Sequence, residues 1–456
     1  MHAAAHPKHI HILGIGGTFM GGLAQIARQM GYQVTGQDNP LYPPMSDQLA
    51  ALNIELAAMD DCTFIQQQPD CVIVGNVMKR GMPAIEALLE SQLTYVSGPQ
   101  WLHEVVLKDK WVLAVSGTHG KTTTSSMLTW ILEDAKLSPG FLIGGVPSNF
   151  GVSAHWSHDS PFFVVESDEY DSAFFDKRAK LVHYCPRTWV INNLEFDHAD
   201  IYDNLAQIQK QFHHGMRLVP ASGLVITPSH SEAIETLLAQ GCWSSIAQHG
   251  SETTAEWSWR LCGADASHFA VLHQGQVVGE VRWSLLGEFN IRNALSAIIA
   301  AQHAGVPVAI ACESLSQFKG VARRLTLLAH RNEIRVFEDF AHHPTAIQVT
   351  LAGLSQRFPD QRLIAVLEPR SNTMRMGAFK DQLATALAEA DSVFMYQHPD
   401  WDWQIPLESF CQPVFIAHDY HTLLAQVLKQ TQSGDVIVCM SNGGFGGVPK
   451  RLAEGV

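Results

Sequence analysis

The run Gly117-Thr118-His119-Gly120-Lys121-Thr122-Thr123 is the densest concentration of phosphate chemistry in the sequence. Glycines let successive backbone N–H groups converge on phosphate oxygens, and a helix opening there adds positive potential. A lysine in the Lys121 position reaches β- and γ-phosphates, and a hydroxyl in the Thr122 position can bind Mg2+. Loops of this general pattern carry a glycine five residues before Gly120. Val115 stands there, and the extra glycine is Gly117 instead. A glycine turn that only caps a helix is the bland alternative, but it leaves the Lys-Thr pair unexplained. The loop is read as a nucleoside triphosphate site.

A triphosphate needs metal ligands from elsewhere. Glu166, followed by Ser167, Asp168 and Glu169, ends the apolar run Phe162–Val165. Asn192-Asn193-Leu194-Glu195-Phe196-Asp197-His198 ends another, Trp189–Ile191. Open α/β sheets place ligand chemistry at the carboxyl ends of their strands, and carboxylate oxygen suits Mg2+. Imidazole is a less usual partner, so His198 by itself stays open between a structural and a metal-bound role.

Three blocks of alternating strand and helix position these loops. The first has strands at His9–Leu13, Gln33–Thr35, Cys71–Val74 and Leu93–Val96, and a helix from about Met20 to Met30. Gly14, Gly16, Gly17, Gly21 and Gly22 follow its opening strand. The second block, after Lys108–Lys110, has a strand at Val112–Val115, the helix Ser125–Asp134, the two strands named above, and the helix Ala294–Ala304 ended by Gly305 and Pro307. Residues 221–285 read as β-rich, with no strand order set by the pattern. The third block, from near His330, has strands Ile334–Phe337, Leu363–Leu367, Ser392–Tyr396 and Val436–Met440. Helices are expected there near Thr345–Arg357, Ala378–Ala390 and Tyr420–Thr431. Alternation at this spacing predicts an α/β fold of parallel sheets with crossover helices.

The 456 residues suggest roughly three domains, and 46% hydrophobic content is enough to give each a core. Thirty Lys and Arg against 44 Asp and Glu leave a formal charge of −14, which disfavours a nucleic-acid or anionic-membrane binder. The opening MHAAAHPKHIHILGIGG has no basic region followed by an unbroken apolar core, so no signal peptide is expected. The most membrane-like stretch, Ala294–Cys312, is interrupted by Gln302, His303 and Pro307. Eight cysteines without a Cys-x-x-Cys pair read as reduced, mostly buried thiols. The expectation is a soluble cytoplasmic monomer with no nucleic-acid or membrane partner.

With these residues in hand, the chain resembles the ATP-dependent Mur ligases of peptidoglycan synthesis over essentially its whole length. The resemblance is carried by GTHGKTTT, ESDEYD (Glu166–Asp171), NNLEFDHAD (Asn192–Asp200), GEFNIRNALSAI (Gly287–Ile298), GVARR (Gly320–Arg324) and DFAHHPTA (Asp339–Ala346). It implies three domains: a Rossmann-like UDP-sugar domain over 1–108, a central phosphate-loop ATP domain with a parallel sheet over 109–327, and a Rossmann-like peptide domain over 328–456. It further implies an amide-forming ligase that uses ATP and Mg2+ and acts on UDP-N-acetylmuramate. Two branches of the family fit. His119 and the DFAHHP segment are similar to the branch that adds free L-alanine. GTFMGG (Gly17–Gly22), YPPMS (Tyr42–Ser46), IGGVPSNFGVSA (Ile143–Ala154), EPRSNTMRMG (Glu368–Gly377) and MSNGGFGG (Met440–Gly447) favour the branch that joins the murein tripeptide L-alanyl-γ-D-glutamyl-meso-diaminopimelate during recycling.

By this resemblance, Lys121 and the Gly117–Thr123 backbone hold the ATP phosphates, with Thr122, Glu166 and His198 at Mg2+. Asn290 and Asn293 lie on the adenine side, Arg324 on the γ-phosphate and Asp339 near the ribose. The catalytic set is Lys121, Glu166, His198, Arg324 and His343. Gly14, Gly16, Gly17 and Asp38 form the UDP-sugar cradle. Phe19 replaces the third glycine of G-x-G-x-x-G there, which argues against a nicotinamide site. Several relatives carry a carbamylated lysine downstream of the metal histidine. A gapless count puts that position near His213, with Lys210 one turn earlier, so none is assigned. His342, His343 or His119 is the candidate acceptor of the amine proton, with phosphate or water as alternatives. Arg370 and Arg375, after the strand Leu363–Leu367, could each fork onto a peptide carboxylate or form a solvated pair. Gly443–Gly447, with Phe445, reads either as a pocket wall or as a strand-to-helix turn.

Overall fold

A computed structural model describes residues 8–41, 45–251, 255–263 and 265–456. Residues 1–7, on which the reading of the N-terminus rests, and 42–44, most of the YPPMS motif, lie outside the described residues. By internal contacts the chain divides into two compact units. One holds residues through Glu195 with Ala206–His249 and Ser296–Ser314; the other holds Phe196–Leu205, Gly250–Leu295 and Leu315–Val456.

The first unit carries two sheets. Strands β1 (His9–Leu13), β2 (Gln33–Asp38), β3 (Glu55–Ala58), β4 (Cys71–Val74) and β5 (Tyr95–Ser97) lie parallel in the order β3-β2-β1-β4-β5. Apolar runs such as Val72-Ile73-Val74 are wholly buried because crossover helices cover both faces. Strand order reverses at β1, and the loop that leaves β1 at Gly14 opens into the helix Thr18–Gln29. That is the crevice where doubly wound sheets bind ligands.

The second sheet takes β6 (Trp111–Ser116), β7 (Gly140–Leu142), β8 (Ala154–His155) and β9 (Phe162–Glu166). After the hairpin β10 (Asp171–Ala173) and β11 (Asp176–Ala179) come β12 (Thr188–Ile191), β13 (Leu224–Pro228) and β14 (Ser245–His249). Within this unit the order is β14-β13-β12-β6-β9-β7-β8, parallel except for β8. The expected strands are present. The helix after β6 begins at Lys121 rather than Ser125. Its hydroxyl-rich first turns read as poor helix in sequence. In the fold those hydroxyls bond back along the helix, Ser125 Oγ to Lys121 O and Ser126 Oγ to Thr122 O.

The second unit contains the antiparallel strands β15 (Trp257–Leu261), β16 (His268–His273) and β17 (Gln276–Arg282), confirming the β-rich reading of this stretch. Its C-terminal sheet is built from β18 (Thr326–Arg331), β19 (Ile334–Asp339), β20 (Leu363–Leu367), β21 (Ser392–Tyr396), β22 (Val414–Ala417) and β23 (Val436–Met440). The order is β18-β19-β23-β20-β21-β22, with only β18 antiparallel. Strand β18 straddles the 327/328 boundary expected from sequence. It turns into β19 through Asn332 and Glu333, both at positive φ, the geometry of a tight two-residue hairpin.

Two further expectations change, and one of two alternatives is observed. The helix over Ala378–Ala390 is replaced by a 3-10 turn at Lys380–Gln382 and a single helical turn at Leu383–Ala386. Its apolar residues Leu383, Ala386, Leu387 and Ala390 stay buried, because three and 3.6 residues per turn keep nearly the same face over so short a run. Gly443–Gly447 is the strand-to-helix turn: Phe445 is packed in the core and the helix Val448–Gly455 follows. The cysteines are unpaired as expected but not mostly buried. Only Cys312 and Cys439 are buried, while Cys185, Cys262 and Cys411 sit in exposed loops.

Candidate active site

The phosphate loop leaves the centre of its sheet, between β9 and β12. Gly117 has φ +135°, and a Cβ there would meet the backbone N and O of Asn193 at 3.1 Å, so the turn admits only glycine. Asn193 accepts from His119 N at 2.8 Å and donates to His119 O at 3.2 Å. Thr118 Oγ1 accepts from Glu195 N at 2.9 Å. The segment after β12 therefore shapes the loop rather than merely facing it.

Lys121 arches back over the loop, donating to Gly117 O at 2.6 Å and to Glu169 at 3.2 Å. Its side chain is 14% exposed and that of Glu169 is 3% exposed. Burial disfavours the ammonium, but Glu169, Asp168 and Glu166 outweigh it and hold the Lys121 pKa above its ordinary value. Thr122 Oγ1 donates to Glu166 Oε1 at 3.1 Å, and Gly144 N donates to Glu166 Oε2 at 2.7 Å. A hydroxyl beside a carboxylate at a helix start, under a charged buried lysine, is a donor set that fits Mg2+ and a triphosphate. Glu169 and Asn193 contact the loop in ways that spacing alone did not indicate; in sequence Glu169 was visible only as one of the acids in the run Glu166–Glu169.

In the glycine loop that leaves β1, Gly14 takes φ +77° and Gly17 stands at the N-cap of its helix. Asp38 Oδ2 accepts from Gly16 N at 2.6 Å, so the acid at the end of β2 braces the glycine turn.

The second unit holds the remaining expected residues. Asp197 Oδ1 accepts from Thr373 Oγ1 at 2.7 Å and from His198 N at 2.7 Å. Burial raises the Asp197 carboxyl, but His198, the Thr373 hydroxyl and His342 prevail and keep it below the usual carboxylate range. His198 itself has φ +59°, a conformation non-glycine residues rarely hold. Asn290 donates to Leu286 O at 2.8 Å at the start of its helix, and Asn293 donates to Asn290 Oδ1 at 3.4 Å. Asp339 accepts from Leu325 N at 2.6 Å and Ala341 N at 2.7 Å. Burial pushes its carboxyl up despite Arg324 nearby. Arg324 lies over the Phe340 ring at 4.4 Å, and its neighbour Arg323 pairs with Glu338 at 3.0 Å.

His343 does not fit the part of proton acceptor. It caps the helix Pro344–Arg357, its Nδ1 accepting from Thr345 N at 3.3 Å and its Nε2 lying 3.4 Å from Phe196 O. Both nitrogens are committed in the neutral ring, and protonating Nδ1 would break the cap. His342 donates from Nδ1 to Phe340 O at 2.9 Å, the tautomer whose lone pair is on Nε2.

Arg370 and Arg375 are both exposed. Arg370 lies against Gly443, where any Cβ would strike its guanidinium. Beside it, Glu368 is 3% exposed and accepts from the hydroxyls of Tyr420 and Ser441. Arg375 offers its backbone oxygen to Trp403 Nε1 at 2.8 Å, leaving its side chain outward.

Comparison with known proteins defines the class. Profiles for the Mur ligase family catalytic domain, middle domain and glutamate ligase domain match residues 9–110, 115–301 and 323–443. The chain belongs to the Mur ligase family, and its α/β architecture is that family's three-domain fold. Within it, the chain is 54% identical to the UDP-N-acetylmuramate–L-alanyl-γ-D-glutamyl-meso-2,6-diaminoheptandioate ligase of Escherichia coli (strain K12), over 98% of each chain. It superposes on the crystal structure of a murein peptide ligase from Psychrobacter arcticus with a TM-score of 0.77 and 43% identity, covering 98% of both. A UDP-N-acetylmuramate–L-alanine ligase from Desulforapulum autotrophicum is 29% identical over 85% of this chain and 82% of its own.

Proposed function

We propose that the chain joins L-alanyl-γ-D-glutamyl-meso-diaminopimelate to UDP-N-acetylmuramate at the expense of ATP, returning recycled murein peptide to peptidoglycan synthesis. The identity of 54% to a ligase of that name, against 29% to an alanine-adding one, supports the choice of branch. The observation that carries the chemistry is the buried, charged Lys121 over the glycine turn beside the Thr122–Glu166 pair. We assign sugar-nucleotide binding to 1–108, ATP binding to 109–327 and peptide binding to 328–456. Among the described residues no helix is long and apolar enough to cross a membrane. From the family resemblance we read the enzyme as a cytoplasmic monomer.

In this reading the lactyl carboxylate of the sugar attacks the γ-phosphate, giving an acyl phosphate and ADP. The peptide's α-amine then attacks the carbonyl, and phosphate leaves from a tetrahedral intermediate. Two anions meet in the first step, so fixed positive charge is the main requirement. Lys121 and the N-terminus of the helix it opens supply it on the ATP side, and Arg324 is assigned to the γ-phosphate. Thr122, Glu166 and His198 would hold Mg2+, which when bound neutralises charge on the phosphate oxygens. The incoming ammonium loses its proton to His342, whose tautomer suits the task, or to phosphate or water.

An ADP-release assay with UDP-N-acetylmuramate and L-alanine, tripeptide, tetrapeptide or no acceptor tests the reading. Release that depends on the tripeptide is expected. A preference for free L-alanine would overturn it.

A further inference from the structure

A second buried lysine lies in the same unit as Lys121. Lys180, at the end of β11, is 8% exposed, and its ammonium donates to Asp168 Oδ2 at 3.1 Å. The ring of Phe19, in the first turn of the helix that follows the sugar-nucleotide glycines, lies 5.0 Å from Nζ, and that of Tyr170 lies 5.9 Å away. An ammonium has three donors. Among the described residues Asp168 is its only oxygen acceptor, so two of its donors are available to a ligand or to water. Two more buried polar atoms of this region, Ser167 Oγ and Tyr184 Oη, lack partners among the described residues.

The placement is informative. The loop Glu166–Glu169 holds one lysine with each of two acids: Glu169 pairs with Lys121 on the ATP side, and Asp168 pairs with Lys180 beside Phe19 on the sugar-nucleotide side. One loop thus spaces two cations, one for each of the anions that must react. From this geometry we propose that Lys180 binds the lactyl carboxylate of the sugar nucleotide and presents it for phosphorylation. This rests on the reading of UDP-N-acetylmuramate as substrate. The diphosphate of the same ligand is the other anion in reach. It already has backbone amides of the Gly14–Gly17 turn and the following helix N-terminus, which favours the carboxylate.

Binding of UDP, UDP-N-acetylglucosamine and UDP-N-acetylmuramate to the full chain separates these possibilities, because UDP-N-acetylglucosamine is the same nucleotide sugar without the lactyl group. The wild type should prefer UDP-N-acetylmuramate; if it does not, the functional reading itself fails. Lys180→Met should lose about tenfold or more of that preference while UDP and UDP-N-acetylglucosamine bind as before, the loss typical of one hydrogen bond to a charged group. Lys180→Arg should recover part of it. A preserved preference in Lys180→Met, or equal loss for all three ligands, overturns the assignment. A wild-type crystal structure with UDP-N-acetylmuramate reads the same contact without any variant. Nζ hydrogen-bonded to the carboxylate supports the proposal, and Nζ on the diphosphate or on water alone refutes it.

Discussion

Asn193 clamps His119 from both sides of its peptide, accepting from its N–H at 2.8 Å and donating to its carbonyl at 3.2 Å. Only a carboxamide can do both, since a carboxylate lacks the donor and a hydroxyl is too short. The apex of the phosphate loop is thereby fixed by a residue from the segment that follows the neighbouring strand β12. Asn193→Ala should raise the ATP KM by about tenfold, the loss of two hydrogen bonds at a preorganised site, with sugar-nucleotide affinity unchanged. Titration of both ligands checks it, and an unaltered ATP KM would contradict the clamp.

Lys121 and Glu169 are a buried pair, so removing one charge strands the other. Lys121→Ala should slow ADP release on the order of 10²–10³-fold, as loss of a preorganised donor does. It should also cost about 3 kcal/mol of stability, from the unpaired Glu169. The double variant Lys121→Met with Glu169→Gln should regain most of the stability and none of the activity. Urea unfolding of the three proteins reads the difference.

The contact between Arg370 and Gly443 makes a paired prediction. Arg370→Ala should raise the tripeptide KM about tenfold, the loss of one charge-assisted contact, without changing the ATP KM. Gly443→Ala leaves the arginine in place but drives its guanidinium aside, and should reproduce the same kinetic pattern. If Gly443→Ala were silent while Arg370→Ala was impaired, the arginine would act from another position.

His343 and His342 are separable by substitution. Asparagine is a good helix N-cap, so His343→Asn should keep stability and kcat, whereas His343→Ala should cost about 1 kcal/mol of stability. His342→Ala should lower kcat by about 10²-fold, the usual loss for a general base, which steady-state ADP release would show. Loss of kcat in His343→Asn would restore that residue to the catalytic set.

His11 lies buried between Phe64, stacked at 4.6 Å, and the polar atoms of Thr35 and Gln37. Burial lowers its pKa to about 4, and the Gln37 hydrogen bond only partly opposes this. The unfolded chain takes up this proton near pH 6.5 and the folded chain does not until near pH 4, so stability falls as pH drops through that window. The full effect is about 3 kcal/mol. His11→Phe should flatten the stability curve between those pH values, as thermal unfolding across the range would show.

The sequence by itself determined many of the strands, the glycine loop between β6 and its helix, and the family. Strands β1, β4, β20, β21 and β23 fall at the bounds read from apolar runs, because a strand buried on both faces leaves a continuous signal between turns. Gly117, Lys121, Thr122 and Glu166 were legible because backbone approach to phosphate and oxygen ligation permit few residue types. Tertiary structure alone decided which acid serves which lysine. Glu169 and Asp168 are adjacent in sequence and chemically alike, and alternation along the loop sends one to Lys121 and the other to Lys180. It also made His343, not His342, the cap of the helix Pro344–Arg357, since a cap depends on where the chain turns rather than on composition. Local pattern fixes elements whose cause is local. Pairings across elements depend on directions that side chains acquire only when the chain has packed.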